Sequence, residues 1–231
     1  MKLSIIIPCY NEAKNIPLIL EDYNKIINNS DIEVILVNNN SSDNTKEILN
    51  TLLPRYSFAK TVFAEVAGYG SAILAGLSSA NGKFIGWTHG DMQTPANDVI
   101  KALKIIEDNN NDTNLYIKGR RKGRPISDCF FTFGMGIFET IYLRTWLYDI
   151  NAQPNIFHKE FFQKWKNPPI DFSLDLYALY LAKNNRLKVT RFAVDFKDRI
   201  YGKSKWNVDW KSKIKFIKRT FQFSIRLKKQ V

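Results

Sequence analysis

The chain has 231 residues, 45% of them hydrophobic and 24% charged, a balance that fits one folded domain, with or without an appendage, and excludes a fibrous or low-complexity protein. Its net charge is +12, but the segment from Arg199 to Val231 holds eleven Lys/Arg against the single acid Asp209, so about +2 is left for everything before it. Cys9 and Cys129 lie far apart and match neither a disulfide framework nor a metal-binding spacing, which suits a reducing compartment.

In chain order, Lys2 to Ile7 is an almost unbroken aliphatic run, the signature of a strand covered on both faces. It stops at Pro8 and a polar loop, too soon for a signal peptide, and a cytoplasmic location is expected. Ile16, Leu18, Ile19, Tyr23, Ile26 and Ile27 then recur at helical spacing, with Pro17 in the first turn. Ile32 to Val37 predicts a second strand, and Ser42 or Asp43 is placed to cap the helix carrying Ile48, Leu49 and Leu52. A third strand is expected over 61–66, a helix over 72–79 after Gly68-Tyr69-Gly70-Ser71, and a fourth strand over 83–88. A helix over 95–107 and a short strand over 115–118 complete the first half, which ends near residue 124.

Alternating strands and helices of this kind predict an α/β fold with a mostly parallel, twisted, Rossmann-like sheet. The second half, about 125–206, is less regular: an apolar aromatic helix over 129–148, a turn at 149–155, a helix near 173–183, a strand over 188–195, then the basic tail. Glu139, Arg144 and two glycines interrupt the apolar helix, so it is a poor membrane span, although it suits an interface. No linker or repeat separates the halves, and one domain over 1–206 is expected, followed by a helix over 207–231.

Three polar clusters fall at predicted strand ends: Pro8-Cys9-Tyr10-Asn11-Glu12, Asn38-Asn39-Asn40-Ser41-Ser42-Asp43-Asn44-Thr45 and His89-Gly90-Asp91-Met92-Gln93. In an open α/β sheet, ligands bind beyond the carboxyl ends of the strands, so the clusters outline one pocket. Glu12 suits a ribose diol, being an acceptor opposite two donors, or equally the start of a helix. The asparagines suit the mixed donors and acceptors of a nucleobase, or simply turns, where Asn tolerates left-handed backbone. If the strand continues, His89, Asp91 and Gln93 point one way and can hold a divalent cation completed by diphosphate oxygens; otherwise Asp91 caps the next helix. The basic groups of 120–124, with Arg199, Lys203 and Lys205, suit phosphate, or solvent.

The tail carries an apolar stripe of Trp206, Trp210, Ile214, Ile217, Phe221 and Ile225 beside Phe216, Phe223 and Leu227, flanked by Lys and Arg. Such a helix lies on an anionic bilayer surface or packs on the core. The width of the stripe argues against a basic arm for nucleic acid.

Taken together, these segments resemble glycosyltransferase family 2, the inverting transferases of GT-A fold, and within it the polyprenyl- and dolichyl-phosphate sugar transferases. The matching text is Ser4 to Glu12, Val37 to Thr45, Gly68-Tyr69-Gly70, Gly90 to Pro95 and Asp198 to Lys205, in that order. The resemblance implies a GT-A domain over 1–206 and a UDP- or GDP-linked sugar donor bordered by Pro8, Tyr10, Glu12, Asn38, Asn39 and Gly68. It implies Mn2+ or Mg2+ on Asp91 and Gln93, with His89 standing where the usual metal motif has its first Asp. Arg121, Arg199 and Lys205 would sit near phosphate, and Asp175 falls where the family places an acid facing the reaction centre. Asn155 stands where relatives often carry a phosphate-binding Arg.

The implied acceptor is a lipid phosphate, with a hydroxyl of a lipid-linked or surface polysaccharide as the alternative, for which Asp175 would be the general base. A third reading is a non-catalytic nucleotide-sugar-binding protein. The spanning helices that follow the catalytic domain in many relatives are not seen, so the basic tail would hold the protein peripherally at the inner face of the membrane.

Overall fold

The computed structural model of the protein describes residues 2–27, 31–123, 126–197, 199–201 and 210–230, with the side chains of 126–131, 210–216 and 230 excepted. Seven strands form one sheet: β1 (Leu3–Cys9), β2 (Ile32–Asn38), β3 (Ala59–Phe63), β4 (Phe84–Trp87), β5 (Leu115–Lys122), β6 (Asn155–His158) and β7 (Lys188–Asp195). Their order across the sheet is β3-β2-β1-β4-β6-β5-β7. The pairs β1 with β2, β2 with β3, β1 with β4 and β5 with β7 are parallel, whereas β6 runs antiparallel to both its neighbours. The sequence reading misses β6, and it sets β3 two residues late.

Side chains of the central strands alternate between two cores, as a two-residue period requires. Leu3, Ile5 and Ile7 of β1 join Val34 and Leu36 of β2 beneath α1 (Ile16–Ile26), α2 (Thr45–Leu52) and α4 (Asn97–Asp108). On the other face Ile6, Ile35 and Val37 meet α3 (Tyr69–Ser78), and this core runs on to Trp87, Tyr116, Phe157 and the second-half helix α7 (Leu174–Asn184). Strands from both sides of residue 124 therefore share one sheet and one core.

Two further helices close the second face: α5 (Ile126–Leu143) and α8 (Trp210–Gln230), with the short α6 (Lys159–Gln163) beside β6. Among the described residues no helix is long and apolar enough to cross a membrane. One part of the tail's apolar pattern is core: Phe223 and Leu227 are buried with Leu143, Leu147 and Tyr177. The two helices are also joined by a polar contact, Ser224 Oγ donating to Glu139 Oε2 at 2.7 Å.

Among the described residues the other Glu139 oxygen is buried without a partner. Burial raises the Glu139 carboxyl from 4.5 to about 7, opposed by the Ser224 hydroxyl. A raised carboxyl binds its proton more tightly when folded, so its stabilising contribution is complete below about pH 4.5 and is lost as the pH rises through about 7. Glu139→Gln should flatten the fall in melting temperature between these limits; an unchanged pH profile would contradict this account.

Candidate active site

The chain reverses direction across the sheet at β1: β2 and β3 lie on one side of it and β4 on the other. A switch point of this kind, beyond the carboxyl ends of β1 and β4, is the place where open α/β sheets have the crevice that takes ligands. The first loop ends β1 and the third ends β4, so both line the crevice.

Hydrogen bonds knit the first two loops together. Asn39 N donates to Cys9 O at 2.8 Å, Asn11 N to Ser41 Oγ at 3.0 Å and Glu12 N to Thr45 Oγ1 at 3.0 Å. Asn38 Oδ1 accepts from Ser41 N, and Asn39 Oδ1 accepts from Gly68 N at 2.9 Å, which draws the start of α3 to the same place. Asn11 and Asn40 adopt left-handed backbone, with φ of 58° and 55°, a conformation that Asn accepts more readily than most residues. Asn38 and Asn39 thus build the loops with their oxygens, whereas Asn40 does so with its amide nitrogen, which donates to Ala64 O at 2.9 Å. A pocket of about 500 Å³ adjoins Glu12 on the side of α1 and α2, walled by Lys14, Asn15, Asp43 and Tyr201; of the expected nucleotide residues only Glu12 lines it. Burial raises Glu12 from 4.5 to about 7, against a hydrogen bond from Asn15 and with the Asp91 charge adding to the rise.

The third loop does not continue as a strand. β4 ends at Trp87, Met92 turns to φ 60°, and Gln93 N donates to Asp91 Oδ1 at 3.2 Å. A side chain at Gly90 would stand 2.7 Å from Pro8 O, so the first and third loops touch backbone to backbone. The expectation that His89, Asp91 and Gln93 project from an extended strand is therefore corrected: a turn places them. Gln93 Nε2 donates to Lys197 O at 3.0 Å, and Lys197 N returns a bond to Gln93 O. These contacts bring the segment after β7 across the crevice, where Arg199 Nη2 meets Asp91 Oδ2 at 2.8 Å.

Among the described residues no group of three or more His, Cys, Asp and Glu side chains is placed to hold a metal ion. Among the described residues His89 Nε2 is buried without a partner, and burial, opposed by the Asp91 charge, lowers the imidazole from 6.5 to about 4, which favours the neutral ring. One carboxylate and one neutral imidazole do not make a cage. They do fit a cation that arrives with a diphosphate, whose oxygens complete the shell.

Deeper in, Asp175 at the start of α7 is 2% exposed and hydrogen-bonded through both oxygens. Its Oδ1 accepts from Trp87 Nε1 at 3.0 Å and Asn155 Nδ2 at 3.1 Å, and its Oδ2 accepts from Tyr69 OH at 2.9 Å. Gln153 Nε2 donates to the same tyrosine oxygen. Lys118 Nζ, also buried, donates to Asn155 Oδ1 at 2.6 Å and Ala152 O at 2.7 Å. Burial raises the Asp175 carboxyl, and the Lys118 charge opposes the rise. Burial likewise lowers Lys118 from 10.5 to about 7 against the attraction of Asp175. Tyr69 is held in place by Gly70, where a Cβ would come within 2.5 Å of Pro169 O, and by a stacked Phe172 ring at 4.5 Å.

Asn155 therefore stands in β6, which corrects the turn expected up to that residue, and it serves Asp175 and Lys118. Arg121 is also committed. Its backbone and Nε donate to the two Asp149 oxygens at 2.9 and 2.8 Å, and its guanidinium lies 5.6 Å from the Phe196 ring. Burial alone would raise Asp149, but the Arg121 charge and hydrogen bonds outweigh it and hold the carboxyl below its usual range. Lys203 and Lys205 lie outside the described residues. Sequence reasoning missed Tyr69 and Trp87 as partners of Asp175, and Lys118 and Gln153 as members of the surrounding network; the one signal was a lone lysine inside the apolar strand Leu115-Tyr116-Ile117-Lys118.

The profile of the family described as glycosyl transferase family 2 matches residues 4–170. The chain belongs to this family. Among curated family 2 relatives, it is 30% identical over 112 residues to an undecaprenyl-phosphate 4-deoxy-4-formamido-L-arabinose transferase of Yersinia enterocolitica, a match over 46% of this chain and 34% of that protein. A dolichol-phosphate mannosyltransferase of Pyrococcus furiosus is 28% identical over 122 residues, 52% of this chain and 34% of that one. The match thus spans about a third of the length of these relatives.

Solved structures share the fold. Glucosyl-3-phosphoglycerate synthase of Mycobacterium tuberculosis, in complex with Mn2+, UDP and glucosyl-3-phosphoglycerate, superposes with a TM-score of 0.71 at 13% identity, over 98% of this chain and 79% of that one. A mannosyltransferase of Pyrobaculum calidifontis, in complex with GDP-mannose and Mn2+, gives 0.70 at 17% identity, over 97% and 64%.

Proposed function

We propose that the protein is an inverting glycosyltransferase that moves a sugar from a UDP- or GDP-linked donor to polyprenyl phosphate at a membrane surface. The observation that carries this reading is the switch-point crevice in which Asp91, His89 and Arg199 meet beside the joined first and second loops. Family membership and relatives named for undecaprenyl- and dolichol-phosphate transfer support it.

In this reading Pro8, Tyr10, Glu12, Asn38, Asn39 and Gly68 border the nucleoside, and the diphosphate lies over the turn at 89–93. An oxygen of the acceptor phosphate attacks the anomeric carbon from the face opposite the diphosphate, one carbon–oxygen bond forming as the other breaks. The difficulty is the negative charge left on the nucleoside diphosphate. A divalent cation, Mn2+ or Mg2+, held by Asp91 with His89 and Gln93 would supply electrostatic stabilisation of that charge. Arg199, released from Asp91, turns to the diphosphate oxygens, where a guanidinium donates in pairs.

Asp175 favours the phosphate acceptor over a polysaccharide hydroxyl. A hydroxyl acceptor must lose its proton to a group within hydrogen-bond reach, and the Asp175 oxygens are buried and already accept from Trp87, Asn155 and Tyr69. A phosphate monoester is anionic and needs no base. The exposed Ile217 and Phe221 of α8, with Lys218, Arg226, Lys228 and Lys229, provide the contact with an anionic membrane.

Calorimetry with UDP and GDP in the presence of Mn2+, followed by transfer of labelled sugar to polyprenyl phosphate, tests the proposal. The expected result is binding of one nucleotide and product in the organic phase; absence of binding to both nucleotides would overturn it.

A further inference from the structure

We propose that the membrane-docking surface is built mainly from α5, the helix over 126–143, with α8 as its cationic margin, and that its partner is an anionic phospholipid bilayer. Phe133, Ile137 and Ile141 are exposed at a four-residue spacing, which sets them in one row along the helix. Phe133 is 65% and Ile141 72% exposed, and Trp146, in the turn beyond the helix, is 66% exposed. Large apolar side chains this open are ordinary singly, but a continuous row of them marks a contact surface.

The row does not stand apart from α8. Phe138 packs at a tilt on Phe221 at 5.3 Å, Tyr142 lies 6.3 Å from the same ring, and Ile217 precedes Phe221 by one turn. One apolar and aromatic surface therefore runs from Phe133 across the helix pair. Its charge is of one sign: Arg144, Lys218, Arg226, Lys228 and Lys229 are exposed around it. The only acid in 132–148 or 217–229 is Glu139, buried against Ser224. Aromatic and aliphatic side chains rimmed by cations match a layer of acyl chains under anionic headgroups, each cation near the surface adding attraction.

The placement also suits the chemistry, and this point rests on the proposed reading of the site. Arg219 of α8 lies 5.3 Å from the Phe172 ring, which stacks on Tyr69, the partner of Asp175. The α8 side of the docking surface thus adjoins the Asp175 network, which reaches the end of β4 through Trp87. A lipid phosphate then reaches the centre without leaving the bilayer.

The test is flotation of the full chain with vesicles of phosphatidylcholine containing about 30 mol% phosphatidylglycerol, and with phosphatidylcholine alone. The chain should float with the anionic vesicles, and the double substitution Phe133→Glu with Ile141→Glu should lower partitioning about tenfold or more, with melting temperature and nucleotide binding unchanged. Lys218→Glu with Lys229→Glu should abolish the preference for anionic vesicles while leaving the fold untouched. Failure of the wild-type chain to float, or equal flotation of the chain substituted at Phe133 and Ile141, would overturn the proposal. So would a concentration-dependent dimer in ultracentrifugation that the same double substitution abolishes without any vesicle binding, since a second copy would then be the occupant. Vesicle binding without nucleotide binding would uphold the surface and reject the transferase reading instead.

Discussion

Asp91→Asn should lower sugar transfer by a factor on the order of 10²–10³ while leaving the protein folded. The carboxylate is the one anionic group of the turn at 89–93, and in the proposed site it recruits the cation that offsets the departing diphosphate. An amide of the same shape keeps the turn but gives up the charge. The ion pair to Arg199 is only partly open to solvent, the arginine side chain being 27% and the aspartate 6% exposed, so its loss costs more than the about 1 kcal/mol of an exposed pair and less than the about 3–5 kcal/mol of a fully buried one. Initial rates across a Mn2+ titration, together with thermal melts, measure both sides. Retained activity with an ordinary Mn2+ dependence would reject Asp91 as the metal carboxylate.

Asp175→Ala should act on the fold. Removing this carboxylate leaves the Trp87, Asn155 and Tyr69 donors unmatched and Lys118 without its counter-charge, in a place that water does not reach. Breaking one side of a buried pair costs about 3–5 kcal/mol, and urea unfolding would show a midpoint lowered accordingly. Asp175→Asn retains the shape and one acceptor oxygen, and separates a structural carboxylate from a general base. Loss of a general base lowers rates by roughly 10²–10⁴, so a loss below about tenfold in transfer to polyprenyl phosphate is expected here. A loss in the larger range, from a variant with native stability, would restore the hydroxyl-acceptor mechanism.

The parts of the fold written in local sequence were legible. β1 and β2 are continuous aliphatic runs, and α1 and α4 show an apolar row every three or four residues, so a mostly parallel sheet with its ligand crevice follows from periodicity and strand-end loops. β6 was not legible: Asn155-Ile156-Phe157-His158 is four residues with no period, and it is a strand because β4 and β5 leave an unpaired edge on each side of it. The Asp175 network was hidden for a related reason. Its members come from positions 69, 87, 118, 153, 155 and 175, and only the closed sheet brings them together. The tail shows a third limit. A stripe of Phe and Ile between lysines reads identically whether it faces lipid or protein, and only the packing divides it, with Phe223 and Leu227 turned inward and Ile217 and Phe221 outward.

That inward turn has a consequence for biogenesis. Phe223 and Leu227 seal a core whose other walls come from residues as early as Ile6 and Ile35, so a nascent chain keeps an open apolar cleft until residue 227 has been made. The first strand–helix units can pair as they emerge, but the second face waits for α8, and distant contacts of this kind form slowly. During that interval the cleft exposes apolar surface, and a chain truncated before residue 227 is expected to aggregate.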